Sequence, residues 1–521
     1  MLGRVNPQGS LLNPSQIFGH LVSSERSFYG KLAAHGQDII SDDDFEGLYS
    51  KGRGRPSIPP SVMTRGLLLA TKDGTSDRES SRRSRVDLDW KAALGLDADH
   101  PGIGATTFSL FRARIVLHDA DQALFEKTVR KAAALGLFSK KVTAIIDSSP
   151  VLGAGAVQDT YQLVQAAIRK VVEAAEQESL SKKIRRSVRR YMSGYKPKID
   201  WSSRTQRQKE LVRMVTAANG LLKAVEDRTD AELVQAAKLL AAIVAQDVEI
   251  DDQTGEPTIR KGVAKDRIVS VSDPEMRHGR KSSSTRFDGH KMHVVEDEAT
   301  EMVLAVDIGP ANESDSEKAV PLLEQIKHQG AVEVGELIGD MAYGGGDIRD
   351  GIESAGVKMV AKVPPAPNGA YFPKTDFKID PAVPSATCPA GVTTTNSEAS
   401  RDRKGRSVVV LKFEAATCGS CALRARCVKA TGGRNIMLNF HEAILLKARI
   451  QQSRANFKTK FRRRAVIERK IDHLQDLGAK KARYRGHRKT RMQILLAASV
   501  ANFGRLHALG ALGGKDLALA G

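Results

Sequence analysis

The run Lys141-Val142-Thr143-Ala144-Ile145-Ile146-Asp147 decides the fold. It is short, nearly all apolar, and ends in an acid. A continuous apolar run of that length reads as a buried strand, which predicts a strand with Asp147 at its C-terminal edge. Residues 332–338 read the same way, and Asp340 sits just past their end. Central strands deliver their C-terminal residues to one edge of a sheet, so two such Asp from neighbouring strands can share a metal site. Hard divalent cations such as Mg²⁺ prefer carboxylate oxygen and keep waters for a substrate phosphate. Taken singly, each Asp reads more readily as a turn or a helix cap.

Outward from this pair, strand patterns cover residues 287–295, 302–308 and 358–363. Helical patterns cover 322–326, where Pro321 suits a first turn, and 348–355. The order is strand, long helical excursion, strand, strand, helix, strand, helix, strand. That is a mixed α/β layer. The excursion, about 153–265, is rich in Ala, Gln, Glu, Lys and Arg at helical spacing. Its basic block, Lys182-Lys183-Ile184-Arg185-Arg186 with Arg189-Arg190, reads equally as a phosphate contact or a solvated face. Residues 364–440 are rich in Pro, Thr, Gly and Cys and predict a small irregular or β unit, and 441–510 are helical and very basic.

Upstream, residues 1–50 carry little signal, and Gly52-Arg53-Gly54-Arg55-Pro56 is a basic, flexible stretch. Helices are predicted from Ser61, with an apolar face of Val62, Leu67, Leu68 and Leu69, then at Ser76-Asp77-Arg78-Glu79, which has an acceptor before an acidic first turn, and from Thr106. Residues 51–135 fit a helix-turn-helix module in a major groove or a small bundle with solvated arginines.

The 521 residues allow about three to five domains, and 41% hydrophobic residues suffice for sizeable cores. A net charge of +20 and a pI near 9.7 ask for a polyanionic partner, nucleic acid first and an anionic membrane surface second. No apolar stretch approaches the roughly 18 residues of a membrane span, and Met1-Leu2-Gly3-Arg4-Val5-Asn6-Pro7 is no signal sequence. All 4 cysteines lie between 388 and 427, which suits a reducing compartment and either a metal or free thiols.

Three further groups carry chemistry. Glu468 is the third candidate carboxylate, with Arg464 one helical turn before it, able to hold a phosphate or to form a surface ion pair. Cys388, Cys418, Cys421 and Cys427 are spaced C-x29-C-x2-C-x5-C. Four thiolates with one CxxC suit tetrahedral structural zinc with no open position, although the last spacing is not a second CxxC and free thiols are the alternative. The basic run from Lys458 to Arg491, including Arg469, has Tyr484 as its one interleaved aromatic from Arg462 onward. It therefore fits phosphate neutralisation on duplex DNA better than base stacking.

These blocks resemble the DDE transposases of bacterial insertion sequences, over roughly residues 50–510. Gly54-Arg55-Pro56, Leu67-Leu68-Leu69, Leu94-Gly95-Leu96 and Thr107-Phe108-Ser109-Leu110-Phe111-Arg112 look like the family's helical N-terminal domain. Ile146-Asp147-Ser148-Ser149, Phe287-Asp288-Gly289-His290-Lys291-Met292-His293 and Gly339-Asp340-Met341-Ala342-Tyr343-Gly344 look like its first Asp block, its Gly-x-Lys-x-His strand and its Asp-x-x-Tyr block. Arg464 and Glu468 fall where the family has Tyr-x-x-Arg-x-x-x-Glu, and residues 482–489 match the tail of a subgroup with a cysteine cluster. Phe461 replaces the motif's Tyr and loses its hydroxyl, and Gln475 lies where a downstream Lys is often found.

The resemblance implies an RNase H-like α/β catalytic domain over 140–363, interrupted by the helical insertion, followed by the Cys-bearing insertion and the basic C-terminal part with Glu468. It implies that Asp147, Asp340 and Glu468 hold two Mg²⁺ or Mn²⁺ ions, and that Lys291, Arg464 and Arg469 position phosphates. Water then cuts a phosphodiester at the element end, and the exposed 3′-hydroxyl attacks target DNA. His290 and His293 read first as satisfied strand histidines. The implied protein is a bacterial, cytoplasmic, nucleoid-associated homodimer on double-stranded DNA, with no membrane partner. Its rivals are a metal-dependent nuclease without strand transfer and an inactive or domesticated copy that only binds DNA.

Overall fold

The computed structural model describes residues 1–6, 10–51, 54–282, 284–365 and 368–510. Pro7 and, in the basic stretch, Gly52 and Arg53 lie outside them.

A mixed sheet of six strands forms the centre: β1 (Val142–Leu152), β2 (Arg277–Arg280), β3 (Arg286–Asp297), β4 (Val303–Pro310), β5 (Val334–Ile338) and β6 (Lys358–Val360). β1 runs antiparallel to β3 on one edge and parallel to β5 on the other, and β5 runs parallel to β6. The far edge of β3 is shared, its first residues pairing with β2 and the rest with β4. β1, β4, β5 and β6 therefore all point to one end of the sheet. β3 is buried from His290 to Asp297, as expected of a strand covered on both faces. Gly289 belongs to a close approach: its φ is +150°, and a Cβ there would meet the Val151 carbonyl oxygen at 2.2 Å.

Asp147 is not at the end of its strand. β1 continues for five residues through Ser148-Ser149-Pro150-Val151-Leu152, held by β3 along that whole length. What ends is its parallel neighbour, since pairing with β5 stops at Ile145. On that edge Leu152 bonds to the Lys480 carbonyl and the Ala482 amide. The helix Ala465–Leu474 packs against β1 there, and Gln475 Nε2 donates to Ser149 Oγ at 2.9 Å.

The N-terminal region is helical, including Phe28–Ile39, Pro60–Lys72, Asp77–Val86, Leu88–Leu94, Ala105–Leu117 and Ala120–Ala134. Ser76 caps its helix as expected, accepting from the Glu79 amide. The first 50 residues are structured too: Leu32, Ile39, Ile40 and Phe45 join the main core. The last helix, His487–Ala508, ties this region to the sheet. Buried Asn502 receives the Val303 amide at 2.8 Å, donates to the Val303 carbonyl at 2.9 Å and donates to Thr128 Oγ1 at 3.0 Å.

Between β1 and β2 stand the helices Thr160–Ala174, Lys182–Val188, Arg204–Ala224 and Ala231–Asp247, closed by a hairpin of Val248–Ile250 with Pro257–Ile259. They have their own core, with Leu163, Val164, Ile168, Met214, Leu221 and Leu240 buried. After β6, two three-stranded antiparallel sheets carry the Cys-bearing segment. Among the described residues no helix is long and apolar enough to cross a membrane.

Candidate active-site cleft and cysteine cluster

The strand end left open beside β1 is the floor of a cleft lined by Asp147, Asp340 and Glu468, with Ser148, Ser149, Lys291, Asp315 and Gln475. Asp340 arrives because β5 stops at Ile338 and the chain turns. Its Oδ1 accepts from the Ala342 amide at 2.8 Å, so it also caps the short turn Met341–Gly344. Glu468 arrives on the helix Ala465–Leu474, whose N-cap is Arg464. Arg464 stands between two carboxylates, 3.3 Å from Asp147 Oδ2 and 3.2 Å from Glu468 Oε1.

Burial pushes the Asp147 carboxyl up to about 6, with the neighbouring charges of Asp340 and Asp315 adding to it. The Ser148 amide and Arg464 pull the other way. Asp315 is a fourth carboxylate of the cleft. It accepts from Ser148 Oγ and pairs with Lys291 Nζ, both at 2.7 Å. Burial works to raise its carboxyl, but those two partners hold it below the usual range. Tyr343 lies beneath, fully buried, its hydroxyl without a hydrogen-bond partner among the described residues. Burial, with Asp147, Asp315 and Asp340 nearby, raises it far above an ordinary phenol, so it stays protonated.

The donor set fits a hard divalent cation: all the carboxylate donors are oxygen, and a protonated hydroxyl is buried beside them. Among the described residues no three His, Cys, Asp or Glu side chains already stand at metal-holding spacing. The Arg464 guanidinium, beside the cleft, is the cation shared by Asp147 and Glu468.

The other expected residues fall differently. Lys291 lines the cleft, but it is only 8% exposed and spends its ammonium on Asp315 and the Glu313 carbonyl. Arg469 is exposed and points to Glu301, 3.7 Å away, rather than lining the cleft. His290 and His293 are fully buried, with Nε2 atoms 3.5 Å from Asp273 and 3.6 Å from Glu313. Gln475, which stands where a Lys was expected, bonds to Ser149 in the cleft. Phe461 stacks on Phe457, with Lys362 over its ring.

Asp315 and Ser148 were not singled out from the sequence. The strand-end argument applied to β4 finds Asp315, because β4 points to the same sheet end and Asp315 follows it by five residues. The basic C-terminal run is also more internal than its composition suggests. Lys460 pairs with Glu336, Arg463 with Glu298, Arg488 with Asp121 and Arg491 with Asp307.

Cys388, Cys418, Cys421 and Cys427 border one small cavity with Phe372 and Phe413, and all four are free thiols. Cys421 Sγ accepts the Leu423 amide at 3.4 Å. Burial pushes the Cys427 thiol up; the other three cysteines add to that, and Arg434 opposes it.

Two family models match the chain, and both describe transposase domains. The particular matches are the Transposase DDE domain over residues 387–507 and the Transposase domain (DUF772) over residues 18–114. The first range includes the four cysteines, Arg464 and Glu468; Asp147 and Asp340 lie upstream of it. No curated protein and no solved structure matches the chain.

Proposed function

We propose that this protein is a transposase that cuts DNA at element ends and joins the exposed strand to target DNA, using Asp147, Asp340 and Glu468 as a DDE site on an RNase H-like sheet. The observation that carries this reading is the convergence of those three carboxylates, from distant parts of the chain, on one cleft. The strand order supports the sheet assignment, with β1 between an antiparallel partner and a parallel one.

Asp147, Asp340 and Glu468 would hold two Mg²⁺ or Mn²⁺ ions. When bound, such ions activate the attacking oxygen and stabilise the leaving one. In the first step the water oxygen bonds to phosphorus, the bond from phosphorus to the 3′-oxygen breaks, and a 3′-hydroxyl is left. In the second, that hydroxyl's oxygen bonds to a target phosphorus and displaces a target 3′-oxygen. Arg464 would meet a phosphate beside the carboxylates. Lys291 fixes Asp315, which fixes Ser148 next to Asp147. Two ends must be cut together, which favours a homodimer on duplex DNA. In this reading Cys388, Cys418, Cys421 and Cys427 would hold structural zinc.

The test is cleavage of a labelled duplex carrying the element's own ends, with Mg²⁺, by wild type and by Asp340→Ala. The variant is expected to lose about three orders of magnitude in rate, several kcal/mol of transition-state stabilisation. Joined products from wild type establish strand transfer, and cut products alone leave a nuclease. Equal rates for the two proteins remove Asp340 from the mechanism.

A further inference from the structure

Within the insertion between β1 and β2, positive charge is concentrated in one segment. From Lys182 to Arg213 there are twelve Lys and Arg against Asp200 and Glu210, an excess of ten in a chain whose net charge is +20. Several of the C-terminal basic residues are held by carboxylates of the sheet and N-terminal helices, as described above. Lys182, Lys183, Arg185, Arg186 and Arg189 make no ion pair among the described residues. Lys182, Lys183, Arg186 and Arg189 are exposed. Their segment is nevertheless fixed, since Val188 and Tyr191 are 0% and 1% exposed in the insertion core.

The loop that follows is held open toward solvent. Gln165, itself 4% exposed, donates its amide to the Ser193 and Tyr195 carbonyls, both at 2.8 Å. Arg169 donates to the Ser193 carbonyl at 3.1 Å. The residue so presented, Tyr195, is 84% exposed. A buried amide thus holds a loop whose aromatic ring touches little of its own protein. Both stems of the insertion meet the sheet where β1 ends and β2 begins, the end to which Asp340 and Asp315 are delivered.

We infer that this face of the insertion binds the DNA backbone, with Lys182, Lys183, Arg185, Arg186 and Arg189 on phosphates and the Tyr195 ring against sugar or base. The inference rests on the DNA-processing reading and deepens it by assigning a surface outside the cleft. Charges with no internal partner can release DNA counterions at no cost to the fold. The aromatic contact adds affinity that salt does not screen.

The experiment is equilibrium binding of the full chain to a labelled duplex, across salt concentrations. It compares wild type, a variant with Lys182, Lys183, Arg186 and Arg189 all changed to Ala, and a control with the exposed Lys378, Arg401, Arg403 and Lys429 changed to Ala. Both variants lose four charges, and Ala suits an exposed helix. The insertion variant is expected to lose about three to four from its log–log salt slope and at least about tenfold in affinity at 0.1 M salt. The control should keep most of both. Tyr195→Ala should weaken binding about fivefold or more with the slope unchanged.

Wild-type binding with an unchanged slope in the insertion variant, or an equal loss in the control, overturns the assignment. Wild type failing to bind duplex even at low salt overturns both the assignment and the DNA-processing reading.

Discussion

Arg464 sets the electrostatics of the cleft, because it is shared by Asp147 and Glu468. Even with that guanidinium beside it, burial leaves the Asp147 carboxyl at about 6, above its ordinary value near 3.8. A carboxyl raised on folding contributes stability below its unfolded pKa, and that contribution is lost as pH rises through the folded one. The cation-free protein should therefore lose stability between about pH 4 and 6 on account of Asp147. Asp147→Asn removes that dependence. Urea unfolding at pH 4.5 and pH 7 should show the variant gaining about 2 kcal/mol on wild type over the interval. Excess Mg²⁺ at pH 7 should return the advantage to wild type, since a ligand that binds only the folded state stabilises it. A difference between the proteins that does not move with pH would remove burial as the cause.

At the scale of elements, the Cys-bearing segment has a thin apolar core of its own. Its core is a small cluster around Phe377, Leu411, Phe413 and Ile436, with Cys388, Cys418 and Cys427 packed against it. Such a core profits from a metal staple. Protein purified without chelator is expected to carry about one zinc per chain. Removing it should speed amide exchange in residues 378–437 while leaving β1 and β3 protected, and Cys418→Ser should do the same. Elemental analysis that finds no zinc ends this reading.

Much of this scale was legible beforehand. The apolar runs of β3, β4 and β5 match the strands within a few residues of their bounds, as does the start of β1, and the turn-to-turn spacing of Arg464 and Glu468 matches their ion pair. The second half of β1 was not legible, because Ser148-Ser149-Pro150 looks like a loop and its partners, Lys291 and Lys481, lie far along the chain. Distance in sequence also hid the carboxylates that occupy Arg463, Arg488 and Arg491. The helices before residue 50 escaped because their buried residues, such as Leu32 and Phe45, are scattered singly among polar ones.

Across the whole molecule, apolar packing divides unevenly. One core runs from Leu32 through the sheet to Leu506, joining the N-terminal helices, all the strands that build the cleft and the last helix. Arg488 and Arg491 reinforce that union, the first on Asp121 and the second on both Gln122 and Asp307. The insertion's core is a separate cluster, from Tyr161 to Val271. Cooperativity follows shared packing, so the insertion should open without the sheet. Ile168→Ala, at a fully buried position, should cost the insertion about 2–5 kcal/mol. Hydrogen exchange should then show faster exchange through Thr160–Asp247 while β1, β3, β4 and the last helix keep wild-type protection. If duplex binding weakens in the same variant, and Mg²⁺-dependent cleavage of a saturating duplex persists, the insertion grips DNA and the sheet cuts it. Equal loss of protection in sheet and insertion would show instead that the two cores fold as one.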